Sequence, residues 1–148
     1  MRSLKLVTVL LLVLAGCGDD GATSTAPSGS LITGESNVIA ALEAGCEAGD
    51  YVMCDVLYFA APFDSELEAF ADTCGGRTEG GPYCAEFFDV NVDLDALTRE
   101  CVDGNMLSCD QLFMYSPSDS TEEAIGRACG GLERESRTCV VDHGLLPR

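Results

Sequence analysis

Nine cysteines are the residues of this chain with the most chemistry to offer, and their spacing sorts them into two groups. Eight lie at 46, 54, 74 and 84 and then at 101, 109, 129 and 139, the second four repeating the first at a constant offset of 55. The pattern is C-x7-C-x19-C-x9-C, written twice, and Cys17 stands outside it. Thiols so placed can crosslink, hold a metal ion or cycle between thiol and disulfide. A four-cysteine zinc site or a redox dithiol would normally show a CxxC element, and none occurs. An even set of eight in a small chain favours a disulfide framework. Three pairings are open within each module. Cys46 and Cys54 flank Gly49 about one helical turn to either side, and a bridge needs Cα atoms about 5.5 Å apart, which antiparallel helices supply. The spacing therefore favours Cys46–Cys54 with Cys74–Cys84, and Cys101–Cys109 with Cys129–Cys139.

Other chemistry is harder to find. His143 is the single histidine, beside Asp142, and no G-x-S-x-G element supplies a nucleophile for it. No phosphate loop and no HExxH helix is present. One acidic stretch is sharper: Asp89, Asn91, Asp93, Asp95 and Glu100 fall at positions 1, 3, 5, 7 and 12 of an EF-hand-like calcium loop. The sixth position is Leu94, where the loop's sharp turn calls for glycine, and the first copy of the repeat lacks the pattern. The plainer reading is an acidic linker in which Asp93 or Asp95 caps the following helix. No catalytic residue and no cofactor is expected.

The elements that position the cysteines repeat with them. Ala41 and Leu42 match Ala96 and Leu97, Asp55 and Leu57 match Asp110 and Leu112, and Gly75-Gly76 matches Gly130-Gly131. This is a duplication without insertions. Each copy predicts three short helices. Ile39, Leu42 and Cys46 are spaced for the first, as are Leu94, Leu97 and Cys101. A second helix follows the Gly49 or Gly104 turn and stops at Pro62 or Pro117. Ser65 with Glu68, and Ser120 with Glu123, predict a capping box that opens the third. That helix ends at the Gly-Gly pair, suited to a left-handed cap, and the stretch to the fourth cysteine reads as a loop.

The amino-terminal stretch is of another kind. Arg2 and Lys5 precede an apolar run over 6–14, shorter than the roughly 20 residues needed to span a bilayer but suited to a signal peptide. The run ends in Leu14-Ala15-Gly16-Cys17, which resembles the lipobox of bacterial lipoproteins. The resemblance implies cleavage before Cys17 and acylation of its sulfur, with two or three acyl chains giving stable membrane anchoring. Residues 17–36, rich in Gly, Ser, Thr and Ala, predict a flexible tether spanning roughly 25 Å. Loss of 1–16 would leave six basic residues against 25 acidic ones, a balance of −19 with no lysine. Such a surface repels nucleic-acid backbones and would favour cationic partners or divalent metals, but the plainer reading is acidity that keeps a surface protein soluble.

The expected organisation is thus a signal peptide at 1–16, a lipid-anchored tether at 17–36, module copies at 37–89 and 90–144, and a tail at 145–148. The fold expected is all-α: two tandem disulfide-stapled modules of about three short helices each, behind a disordered tether. The run from Cys101 to Cys109, with its counterpart from Cys46 to Cys54, resembles the C-x7-C helical hairpin of cysteine-rich tetratricopeptide-like bacterial repeats. In those repeats a disulfide clips two helices together. The longer string Gly-Asn/Asp…Cys-Asp-x-Leu…Pro-x-Asp-Ser…Glu-Ala…Cys-Gly-Gly is similar to modules in extracytoplasmic parts of actinobacterial membrane proteins and lipoproteins. These resemblances imply interaction or scaffolding by a non-enzymatic envelope lipoprotein, with an envelope protein as partner. The alternative is an acidic-residue or calcium-dependent envelope enzyme or enzyme subunit.

Overall fold

The computed structural model describes residues 31–81, 83–135 and 137–145. The signal stretch, the box around Cys17 and residues 17–30 of the expected tether lie outside the described residues. Among the described residues the fold is all-α, with eight short helices and no strand. The first module contributes α1 (Glu35–Glu47), α2 (Tyr51–Ala60), α3 (Glu66–Asp72) and α4 (Cys84–Phe87). The second contributes α5 (Leu94–Val102), α6 (Met106–Tyr115), α7 (Thr121–Arg127) and α8 (Cys139–His143), with a 3-10 turn at Cys129–Gly131.

The stretch to the fourth cysteine is a loop, as expected, but each module adds a fourth helix that starts at that cysteine, where no element was expected. It is short, and a distant side chain holds its start, as described below. Two boundaries also move. Ile32 pairs with Leu145 through two backbone hydrogen bonds of 2.9 Å, so the fold takes in part of the expected tether. Leu145, expected in the tail, is buried in the core.

Local signals explain most helix limits. Asp50 and Asn105 cap α2 and α6, accepting from the backbone N–H of Met53 (3.3 Å) and Ser108 (3.4 Å). Ala61 and Ser116 precede the two prolines and are extended (ψ 151° and 150°), which ends both helices. At α3 and α7 the Ser65 and Ser120 hydroxyls accept from Glu68 N–H and Glu123 N–H, each at 3.0 Å. The return arm of the box lands one residue earlier than expected: Glu68 and Glu123 accept from Asp64 N–H and Asp119 N–H, each at 2.6 Å. Ser65 N–H is already taken by the Pro62 carbonyl, and Asp64 and Asp119 adopt left-handed backbone (φ 58° and 64°).

Left-handed backbone also closes α3 and α7, starting at the cysteine before the glycine pair: φ is 54°, 71° and 77° over Cys74-Gly75-Gly76. Gly130 faces a second constraint, since a Cβ there would sit 2.5 Å from the Cys101 carbonyl oxygen. Close approach and left-handed φ together restrict the position to glycine.

Four disulfides staple the helices: Cys46–Cys54 and Cys101–Cys109 with Cα atoms 4.6 Å apart, Cys74–Cys84 at 5.6 Å and Cys129–Cys139 at 5.5 Å. These are the pairs favoured by the spacing, and all lie within a module. The modules share one core nonetheless. Val38, Leu42, Val56 and Leu57 join Leu107, Leu112, Val140 and Leu145 in a single buried cluster. Packing of α1 on α8 and of α2 on α6 makes the inter-module contact.

Candidate functional site

A buried aspartate lies at the same place in each module. Asp55 on α2 and Asp110 on α6 are 3% and 2% exposed, a cost that carboxylates bear only when well bonded. Asp55 accepts from the N–H groups of Cys84 (2.6 Å) and Ala85 (3.0 Å), and Asp110 from those of Cys139 (2.7 Å) and Val140 (3.0 Å). Each carboxylate thus holds the first turn of α4 or α8 from 29 or 30 residues away. The two free N–H donors and the anion complement each other, as at any helix start.

The modules then differ in what completes the carboxylate. Asp55 Oδ2 accepts from the Tyr115 hydroxyl at 2.5 Å, a bond across the module boundary. Asp110 Oδ1 pairs with the Arg134 guanidinium at 3.3 Å. Burial pushes Asp55 above the ordinary carboxyl range, against the pull of its three hydrogen bonds. Burial raises Asp110 to about 6, opposed by Cys139 and Val140 N–H and by Arg134. The Tyr115 hydroxyl is raised as well, by burial and by the Asp55 charge, and stays a donor.

Beside Asp55 a cavity of about 300 Å³ opens to solvent, lined by Tyr58, Ala71, Asp72, Tyr83 and Cys84. Glu86 stands at its wall. Tyr83 packs edge-on against Tyr115 with ring centroids 5.8 Å apart. An aromatic wall beside carboxylates favours cations. Burial and the neighbouring Asp55 charge raise the Tyr83 phenol, which is neutral at pH 7.

The residues singled out from the sequence fare differently. Cys17 lies outside the described residues. The eight register cysteines all form disulfides. The calcium-loop candidates are not brought together. Asp93 caps α5 by accepting from Ala96 N–H (3.0 Å), and Glu100 accepts from the Ser108 hydroxyl (2.6 Å). Asp89 takes a left-handed turn after α4 (φ 52°), while Asn91 and Asp95 are exposed. Among the described residues no three His, Cys, Asp or Glu side chains are arranged to hold a metal ion. His143 closes α8, its Nε2 2.7 Å from the Glu133 carbonyl oxygen.

Asp55 and Asp110 were visible in the sequence only as one matched pair among many. A sharper signal was available for Asp55, an acidic helix residue between Cys54 and Val56, which calls for buried partners; Asp110 is followed by Gln111 and carries that signal less clearly. Arg134 was missed because its counterpart in the repeat, Glu79, has the opposite charge.

No protein-family model matches this chain, and no curated protein or solved structure does so either. Four disulfides mark an oxidising, extracytoplasmic compartment. No helix among the described residues is long and apolar enough to cross a membrane.

Proposed function

We propose that the protein is a non-enzymatic envelope lipoprotein, anchored through acyl chains on Cys17, that presents the disulfide-stapled double module as an interaction scaffold. One observation carries the scaffold reading. The cysteines and the buried aspartates that the two copies share are all engaged inside the fold, as crosslinks and helix caps. What the duplication preserves is therefore a shape. The anchor rests on Leu14-Ala15-Gly16-Cys17 directly behind the apolar run.

Metabolic labelling with an alkyne fatty acid, followed by cell fractionation, tests the anchor. The expected result is a labelled chain in the membrane fraction, and an unlabelled Cys17→Ala chain that leaves it. Label retained by Cys17→Ala would remove the anchor from the proposal. Crosslinking in intact cells, followed by mass spectrometry, tests the scaffold. A reproducible crosslinked envelope protein is expected, and crosslinks to abundant bystanders alone would count against it.

A further inference from the structure

Positions 79 and 134 correspond across the repeat and carry opposite charges, Glu79 and Arg134. In the second module the Arg134 guanidinium is seated on four groups. Its Nη2, with two N–H donors, lies within hydrogen-bond distance of Asp110 Oδ1 (3.3 Å), the Gly126 carbonyl oxygen (3.0 Å) and Cys139 Sγ (3.0 Å). Its central carbon lies 4.8 Å from the centroid of the Phe113 ring. The counterparts of these four residues in the first module are Asp55, Ala71, Cys84 and Tyr58. All four line the cavity of about 300 Å³.

The first module has the seat without an arginine of its own to fill it. Glu79 is exposed, and the position that carries Arg127 in the second module is Asp72. Glu86 stands where the second module has Val141. The cavity is therefore more negative than its filled counterpart. Asp55 Oδ2 is occupied by Ala85 N–H and Tyr115 O–H, whereas Oδ1 receives the Cys84 N–H. That is the oxygen whose counterpart on Asp110 takes the guanidinium.

We propose that the first-module cavity is a receptor for a guanidinium group, presented by an arginine side chain of a partner protein. The proposal deepens the scaffold reading by naming the partner's chemistry. A planar guanidinium can lie on the Tyr58 ring while one terminal nitrogen faces carboxylate, carbonyl and sulfur, as Nη2 of Arg134 does in the second module. A lysine ammonium could meet the same three acceptors but has no flat face to lay on the ring, so it is expected to bind more weakly. Free arginine is disfavoured because its own carboxylate would face Asp72 and Glu86. An acidic, lysine-free surface steers a basic polypeptide toward the site.

The test is titration of the full chain, by calorimetry and NMR, with a capped peptide carrying one arginine. Its lysine and citrulline counterparts and free arginine serve as competitors. Saturable one-to-one binding of the arginine peptide is expected, with the citrulline peptide silent and the lysine peptide clearly weaker. Tyr58→Ala is expected to weaken binding about five- to thirtyfold. Glu79→Arg, which gives the module its own guanidinium, is expected to block the peptide and raise Tm. Arg134→Ala is expected to open a second but weaker site, because Arg127 still lies over the Phe113 ring. No saturation at millimolar peptide, or equal binding of the lysine peptide, would overturn the assignment. Equal binding of free arginine would overturn the polypeptide source. An envelope partner crosslinked equally well by wild type and Glu79→Arg would remove the cavity from the interface and leave the scaffold standing.

Discussion

Asp55 and Asp110 show what a single buried carboxylate does in this fold. Each replaces the missing cap of a helix too short to organise its own start. Asp55→Ala would leave two backbone donors and the Tyr115 hydroxyl unsatisfied in the interior. Asp110→Ala would leave the same two donors and strand Arg134. The expected losses are about 3 kcal/mol or more for either, measured by urea unfolding under oxidising conditions. Gln111 is the opposite case. It is 6% exposed and its Nε2 finds no partner, while the first copy places fully buried Val56 at that position. Gln111→Val should therefore stabilise the protein by about 1 kcal/mol, read by the same denaturation curve. The sequence carried the aspartate pair but not its purpose, because the donors lie a whole helix and loop away. Cysteine register was easier, since it needs no knowledge of distance.

At the scale of helices the two copies solve one packing problem in different ways. Where α1 crosses α2, Gly45 faces Met53, and a Cβ at Gly45 would collide with the methionine sulfur. Where α5 crosses α6, the same pair is Glu100 and Ser108, joined by a hydrogen bond. Small with large in one copy is matched by large with small in the other. Gly45→Glu and Met53→Ser are each expected to destabilise, the first by overpacking and the second by lost burial. The double variant should cost at least about 1 kcal/mol less than their sum, which a double-mutant cycle measures. Helices α1 to α3 and α5 to α7 were legible from apolar spacing, prolines and serine caps. The helices α4 and α8 were not, because they span only four and five residues and have no side-chain cap of their own.

Over the whole molecule, charge sets the response to pH. Asp110 titrates at about 6 when folded, against an ordinary value of 3.8. Between those values the folded chain holds a proton that the unfolded chain has released, so this group's contribution to stability falls as pH rises through the window. Repulsion within a chain of formal charge −17 acts in the same direction. Glu123 works the other way. Its carboxyl is held low by Asp119 N–H and Arg127, and its contribution is lost as pH falls below the ordinary glutamate range. Tm is therefore expected to rise on acidification from pH 7.5 to about 5 and to fall again below about 4, as calorimetry would record. The short linker between Cys84 and Leu94 implies contact between the modules, but which faces meet was not legible, because the repeat describes each copy by itself.

The pairing of Ile32 with Leu145 joins the stretch before α1 to the stretch after α8. A load arriving along the chain from residue 31 meets that pair before it meets any helix. Beyond it, the four crosslinks lock only the short loops 46–54, 74–84, 101–109 and 129–139, and the helices between them are held by packing alone. Pulled from its amino-terminal side, the protein would act as a latch in front of a packed core: a small early release, then extension of the uncrosslinked stretches with the four loops still closed.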